Sequence, residues 1–159
     1  MKICEVHEEC WDGVLYPVLK EKGKVVITIS GSEGGLEHAG KLAHFLQDNG
    51  IPALALGLFK TKHSQRNLAG VPLERIYSAI VWLRKNGYHY IAVEGVSKGA
   101  EYALAAAIEF PQLSCVIVKT PSWFYSEGLI SKKPSGTSCW SYQGKDLPFT
   151  PYNTRKFDV

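Results

Sequence analysis

The chain has 159 residues, 45% hydrophobic and 21% charged, with a formal net charge of +3. That length supports one domain with a real core, and the composition excludes global disorder. The Lys and Arg residues are scattered and no basic run is interleaved with aromatics, which excludes nucleic acid as an expected partner.

Cys4, Cys10, Cys115 and Cys139 form no close CxxC pair. Neither a metal site nor a disulfide scaffold is expected, and the thiols read as free in a reducing compartment. Charges interrupt the N-terminal stretch MKICEVHEECWDG within a few residues, and no apolar run approaches the length of a membrane span. The expectation is a soluble cytoplasmic protein with no cofactor and no membrane partner.

In chain order, CEVHEE and GVLYPVL within residues 1–23 read as two antiparallel edge strands, because Pro17 is tolerated only at an edge. Val25 to Ser30 is a continuous β-branched run. Leu36, Ala39, Leu42, Ala43 and Leu46 then mark one face of a helix closed by Asn49-Gly50. Ile51 to Phe59 reads as a second buried strand. Pro72 is expected to open a second helix, with Leu73, Ile76, Ile80 and Leu83 on one face and Gly87 at its end. IAVEG is a third strand, Lys98 to Phe110 a third helix stopped before Pro111, and CVIVKT a fourth strand. This alternation predicts an α/β fold with a mainly parallel sheet covered on both faces. Residues 122–159 lose all periodicity and read as an irregular tail of a single domain spanning 1–159.

Gly95-Val96-Ser97-Lys98-Gly99 matches G-x-S-x-G at the junction of a buried strand and an alanine-rich helix. That is the placement of a nucleophile elbow, where a strained serine stands at a helix N-terminus and the flanking glycines let strand and helix approach. Helix dipole and free N–H groups there favour developing negative charge. Ser30-Gly31-Ser32-Glu33-Gly34-Gly35 follows the first parallel strand, where this fold carries its second oxyanion donor. The backbone amides of Ser32 and Lys98 are the expected oxyanion hole, with Gly31, Gly34 and Gly35 letting the loop come close. A dinucleotide loop is disfavoured, since GSEGG lacks the G-x-G-x-x-G spacing.

At these residues the sequence resembles the catalytic C-terminal domain of the acyl-CoA thioester hydrolase and bile acid-CoA:amino acid N-acyltransferase family. The resemblance is collinear through SGSEGGLE, IPALALGLF, VPLERIYSAIVWL, GVSKGAEYAL, KTPS and SYQGKDLPFTP, roughly residues 25–151. It implies an α/β-hydrolase domain that attacks an acyl-CoA thioester through position 97. In that family serine goes with hydrolysis and cysteine with amino-acid transfer, so Ser97 favours hydrolysis. The family's N-terminal immunoglobulin-like domain has no counterpart here, nor does the segment beyond LPF that carries its acid and histidine.

In this fold the triad order is Ser, acid, His. His7, His38, His44, His63 and His89 all precede Ser97. Asp146 and Asp158 follow it with no imidazole to orient, so the triad reads as incomplete, the C-terminal part of the fold as missing and catalysis as impaired. His38 and His44 read as solvated helix residues and His89 as lying at the opposite end of the sheet. His63, in the loop FKTKHSQRN, is the candidate substitute base. Lys60, Lys62 and Arg66 share that loop beyond a strand's carboxyl end, where open α/β sheets bind ligands, and could meet coenzyme A phosphates. Glu101 reads as structural, fixing the elbow or the glycine loop. The expected partner is acyl-CoA or a related acyl substrate, with self-association possible through an uncovered sheet edge. A carboxylesterase or peptidase of the same fold and a catalytically inactive binding module are the alternatives.

Overall fold

A computed structural model describes residues 3–19 and 23–152. Strands β1 (Cys4–Glu8) and β2 (Trp11–Tyr16) form a hairpin, followed by β3 (Lys24–Ile29), helix α1 (Glu37–Asp48) and β4 (Ala53–Gly57). The short β5 (Val71–Pro72) leads into α2 (Glu74–Lys85), then β6 (Tyr90–Val96), α3 (Lys98–Glu109) and β7 (Leu113–Lys119). The main sheet has the order β1-β2-β4-β3-β6-β7. β4, β3, β6 and β7 run parallel, while β2 pairs antiparallel with both β1 and β4.

The faces follow from the period of two along β4. Ala53 and Ala55 point to one side and pack with Ala39 and Ala43 of α1. Leu54 and Leu56 point to the other and share the main core with Ile76, Ile80 and Leu83 of α2 and with Tyr102, Ala103 and Ala106 of α3. Helices therefore cover both faces, and the non-alternating runs are strands buried on both sides, as the sequence predicts.

Three expectations need correction. β2 is not an edge strand, because it lies between β1 and β4. Pro17 is tolerated since it follows the last strand residue, Tyr16. Pro72 does not open α2. It sits in β5 while Val71 and Leu73 donate to the Cys139 and Ser141 carbonyls at 2.7 and 2.8 Å. The missing N–H of proline falls at the position that bonds to nothing in that ladder.

Residues 122–152 are not an irregular tail. They carry β8 (Glu127–Ile130), β9 (Lys133–Ser138), β10 (Trp140–Tyr142) and β11 (Lys145–Asp146). β8 and β9 form one hairpin, and β10 pairs with both β11 and β5. Ser131 and Lys132 (φ 51° and 66°) and Gln143 and Gly144 (φ 51° and 72°) make the two turns, with the paired positive φ values that two-residue hairpin loops favour. The segment covers α3: Trp140 is fully buried with its ring 5.1 Å from that of Tyr102. Asp158 and the other residues after Tyr152 lie outside the described residues.

Candidate active site

Ser97 is the single residue between β6 and α3, with φ 52° and ψ −114°. A non-glycine residue held there stores about 1–3 kcal/mol of strain, so the surroundings must impose it. Its N–H donates to the Lys119 carbonyl at 2.9 Å, extending the β6–β7 ladder, and its carbonyl accepts from Ala100 and Glu101 at 3.1 and 3.2 Å. One residue is thus forced to finish a strand and start a helix. The flanking glycines allow this approach, since a Cβ on Gly95 would strike the Gly99 carbonyl and a Cβ on Gly99 the Ser30 carbonyl. The Ser97 side chain is exposed, and its Oγ has no hydrogen-bond partner among the described residues.

The loop after β3 lies against this turn. A Cβ on Gly31 would be 3.5 Å from that of Ser97. The Ser30 hydroxyl accepts from the Ala39 amide at 3.1 Å, tying the loop to α1, and the Gly35 amide donates to the Phe59 carbonyl at 2.9 Å. Gly34 combines φ 66° with a Phe59 ring 2.6 Å from where its Cβ would stand, so no other residue fits without displacing that ring. The Gly31 amide is taken by the Glu33 carboxylate at 3.0 Å. The amides of Ser32 and Lys98 have no acceptor among the described residues, and Ser32 does not line the cavity at Ser97. A cavity of about 430 Å³ opens here, lined by Gly31, Glu33, Gly34, His38, Val96 and Ser97.

Behind the elbow, Glu101 is 1% exposed and its carboxylate accepts four hydrogen bonds. Oε1 takes the Trp140 indole N–H and the Ser126 amide, both at 2.7 Å. Oε2 takes the Ser126 hydroxyl at 3.0 Å and Lys98 Nζ at 3.1 Å. The first turn of α3 is thereby fastened to β10 and to the start of β8. Glu101 supports the elbow rather than the glycine loop.

The loop after β4 divides the residues expected to bind substrate. Lys60 Nζ donates to the Glu33 carbonyl at 2.8 Å, bracing the oxyanion loop. Lys60 and Arg66 line a second cavity of about 260 Å³ with Ser32 and with Lys132 from the β8–β9 turn. Lys62 and His63 do not line it. His63 is turned to Asp12 instead, its Nδ1 2.7 Å from Oδ1 and its backbone N–H 2.7 Å from Oδ2. His63 does not line the Ser97 cavity, so the structure does not bring it to Ser97. The histidine that shares the Ser97 cavity is His38, on the first turn of α1. Its position directly after the glycine loop is the signal that could have found it. Asp146 accepts the Ser138 amide at 3.2 Å in the β9–β11 region.

These features define the α/β-hydrolase fold, with a strained strand-to-helix turn at Ser97. No protein-family model and no curated protein matches the sequence. Solved structures similar to it include GrgF, an α/β hydrolase from a Penicillium species, with TM-score 0.67, 18% identity and 80% of this chain against 48% of that one. An esterase of Pyrococcus furiosus gives TM-score 0.64 at 20% identity, over 76% of this chain and 52% of the other. An α/β hydrolase from a lagoon-sediment metagenome gives TM-score 0.52 at 18% identity, over 75% and 52%. The chain spans about half the length of these structures. Among the described residues no helix is long and apolar enough to cross a membrane.

Proposed function

We propose that the protein is a serine acyl hydrolase of the acyl-CoA thioesterase type, with Ser97 as nucleophile. The observation that carries this reading is the strained Ser97 backbone at the strand-to-helix turn, with the Lys98 amide that follows it unpaired among the described residues. Ser97 Oγ attacks the thioester carbonyl and gives up its proton to solvent, the electron pair of the C=O moves onto oxygen, and the Ser32 and Lys98 amides hold that oxyanion. Its collapse expels the coenzyme A thiolate and leaves an acyl ester on Ser97, which water then hydrolyses.

The thioester preference rests on the resemblance through SGSEGGLE and GVSKGAEYAL and on the cationic cavity of Lys60, Arg66 and Lys132 beside Ser32, which suits a phosphate-bearing leaving group. Ser97 has no base on its Oγ among the described residues, so turnover by this chain is slow. The unpartnered Oγ is also what favours the second reading, a binding module that holds the acyl compound without cleaving it.

Steady-state hydrolysis of a medium-chain acyl-CoA and of an aryl ester, by the chain and its Ser97→Ala and His38→Ala variants, separates these readings. Slow acyl-CoA hydrolysis lost in Ser97→Ala supports the proposal. Faster aryl-ester cleavage turns it to a carboxylesterase, and hydrolysis indifferent to Ser97 removes it.

A further inference from the structure

His7, Asp12 and His63 come from three separate segments, yet one ligand atom of each lies within 4.8 Å of the others. The antiparallel register places His7 directly opposite Asp12 on β1 and β2, and Asp12 opposite Gly57 at the end of β4. The loop after β4 then delivers His63. We propose that these three side chains form a zinc site, with water as the fourth ligand, that clasps this loop to the β1–β2 hairpin.

The chemistry of the donor set points to this ion. Two imidazole nitrogens and one carboxylate oxygen suit Zn²⁺ over Mg²⁺ or Ca²⁺, which prefer all-oxygen shells. The carboxylate is 2% exposed and oriented by the His63 amide on Oδ2, so Oδ1 faces both rings. Each Nδ1 lies 2.7 Å from that same Oδ1. Two ring N–H groups thus converge on one oxygen, an arrangement in which a single divalent ion can replace both protons. Tetrahedral Zn²⁺ with bonds near 2.0–2.1 Å separates its ligands by about 3.4 Å, so the nitrogens need to draw back only about 0.7 Å. Each ring proton moves from Nδ1 to Nε2, and no net proton is released from neutral histidines.

Two other charges face the cluster. Glu5 Oε2 is 3.7 Å from His7 Nε2. The Arg75 guanidinium is held by the Cys10 and Leu58 carbonyls and by Gln65. With Asp12 ionised the surroundings sum to one negative charge before the ion arrives. The consequence is local order: the pinned loop carries Lys60, which braces Glu33 in the oxyanion loop.

The test uses the full chain with Cys4, Cys10 and Cys115 replaced by serine, so that exposed thiols cannot take the metal. After treatment with EDTA it is titrated with Zn²⁺ alone by calorimetry, and its thermal unfolding is followed with and without Zn²⁺. The expected result is one ion per chain, a raised Tm, and affinity at least about tenfold lower in His7→Ala and in His63→Ala. His44→Ala, which removes an exposed pair with Asp48, should bind as the parent does. His7 lies on the outer strand and is half exposed, so its variant should fold. Bound Co²⁺ should show the intense visible bands of a four-coordinate site without sulfur charge transfer. No stoichiometric Zn²⁺ binding, or binding equal in parent, His7→Ala and His63→Ala, overturns the site. Neither outcome depends on Ser97 chemistry.

Discussion

Replacing Glu101 tests how the elbow is held. In Glu101→Ala the Lys98 ammonium, whose side chain is 13% exposed, loses its carboxylate, and the Trp140 indole and Ser126 amide lose their acceptor. Breaking a buried ion pair by deleting one partner costs about 3–5 kcal/mol. Each orphaned buried donor would cost about 1–3 kcal/mol alone, but these losses share one carboxylate and do not add. A net loss of about 4 kcal/mol follows, read as a urea midpoint lowered by about 2 M for a slope near 2 kcal/mol/M. Glu101→Gln keeps an acceptor for Trp140 and the Ser126 amide, loses the ion pair and obliges the Ser126 hydroxyl to accept from the new amide instead of donating, so its cost should be about half as large. Reactivity of Ser97 should fall with the alanine variant as α3 loosens from β10. A loss below about 1 kcal/mol for Glu101→Ala would show that the network does not hold the helix.

Gly99→Ala drives a methyl group into the Ser30 carbonyl and Ile29, so it should cost about 3 kcal/mol by urea unfolding and displace the oxyanion loop. Coenzyme A binding should weaken as salt rises, and further with Lys60→Ala plus Arg66→Ala. An affinity indifferent to both, measured by calorimetry, would remove these residues from the substrate. Burial pushes the Cys139 thiol up to about 12, while Cys4, Cys10 and Cys115 are exposed. An aromatic disulfide reagent should therefore titrate the exposed cysteines in the native chain, and Cys139 only after unfolding.

The parallel core was legible because Val25–Ser30, Ile51–Phe59 and Ile91–Gly95 are apolar without alternation, and the intervening helices repeat at three to four residues. The elbow was legible because G-x-S-x-G falls where those periods change. The C-terminal hairpins were not, since KPSGTS in β9 is polar, and the Ser131-Lys132 and Gln143-Gly144 turns lack the usual Asn-Gly or Asp-Gly signal. The contact His63 makes was not legible for a different reason. Loop membership gave its end of the sheet, but its partner Asp12 is 51 residues away and is brought to it by the β2–β4 pairing. Burial acts to raise the Asp12 carboxyl, yet hydrogen bonds from the His63 amide and neighbouring side chains, His63 and His7 among them, hold it well below the usual range. No spacing rule in the sequence shows that convergence.

Covalent labelling by a fluorophosphonate over prolonged exposure tests the central claim about Ser97 most directly, because it needs attack by Ser97 Oγ, slow without a base, but no turnover. Peptide mapping by mass spectrometry should place the adduct on Ser97, with labelling abolished in Ser97→Ala and slowed in Gly99→Ala. An unlabelled chain, or an adduct on any other serine, would contradict the account.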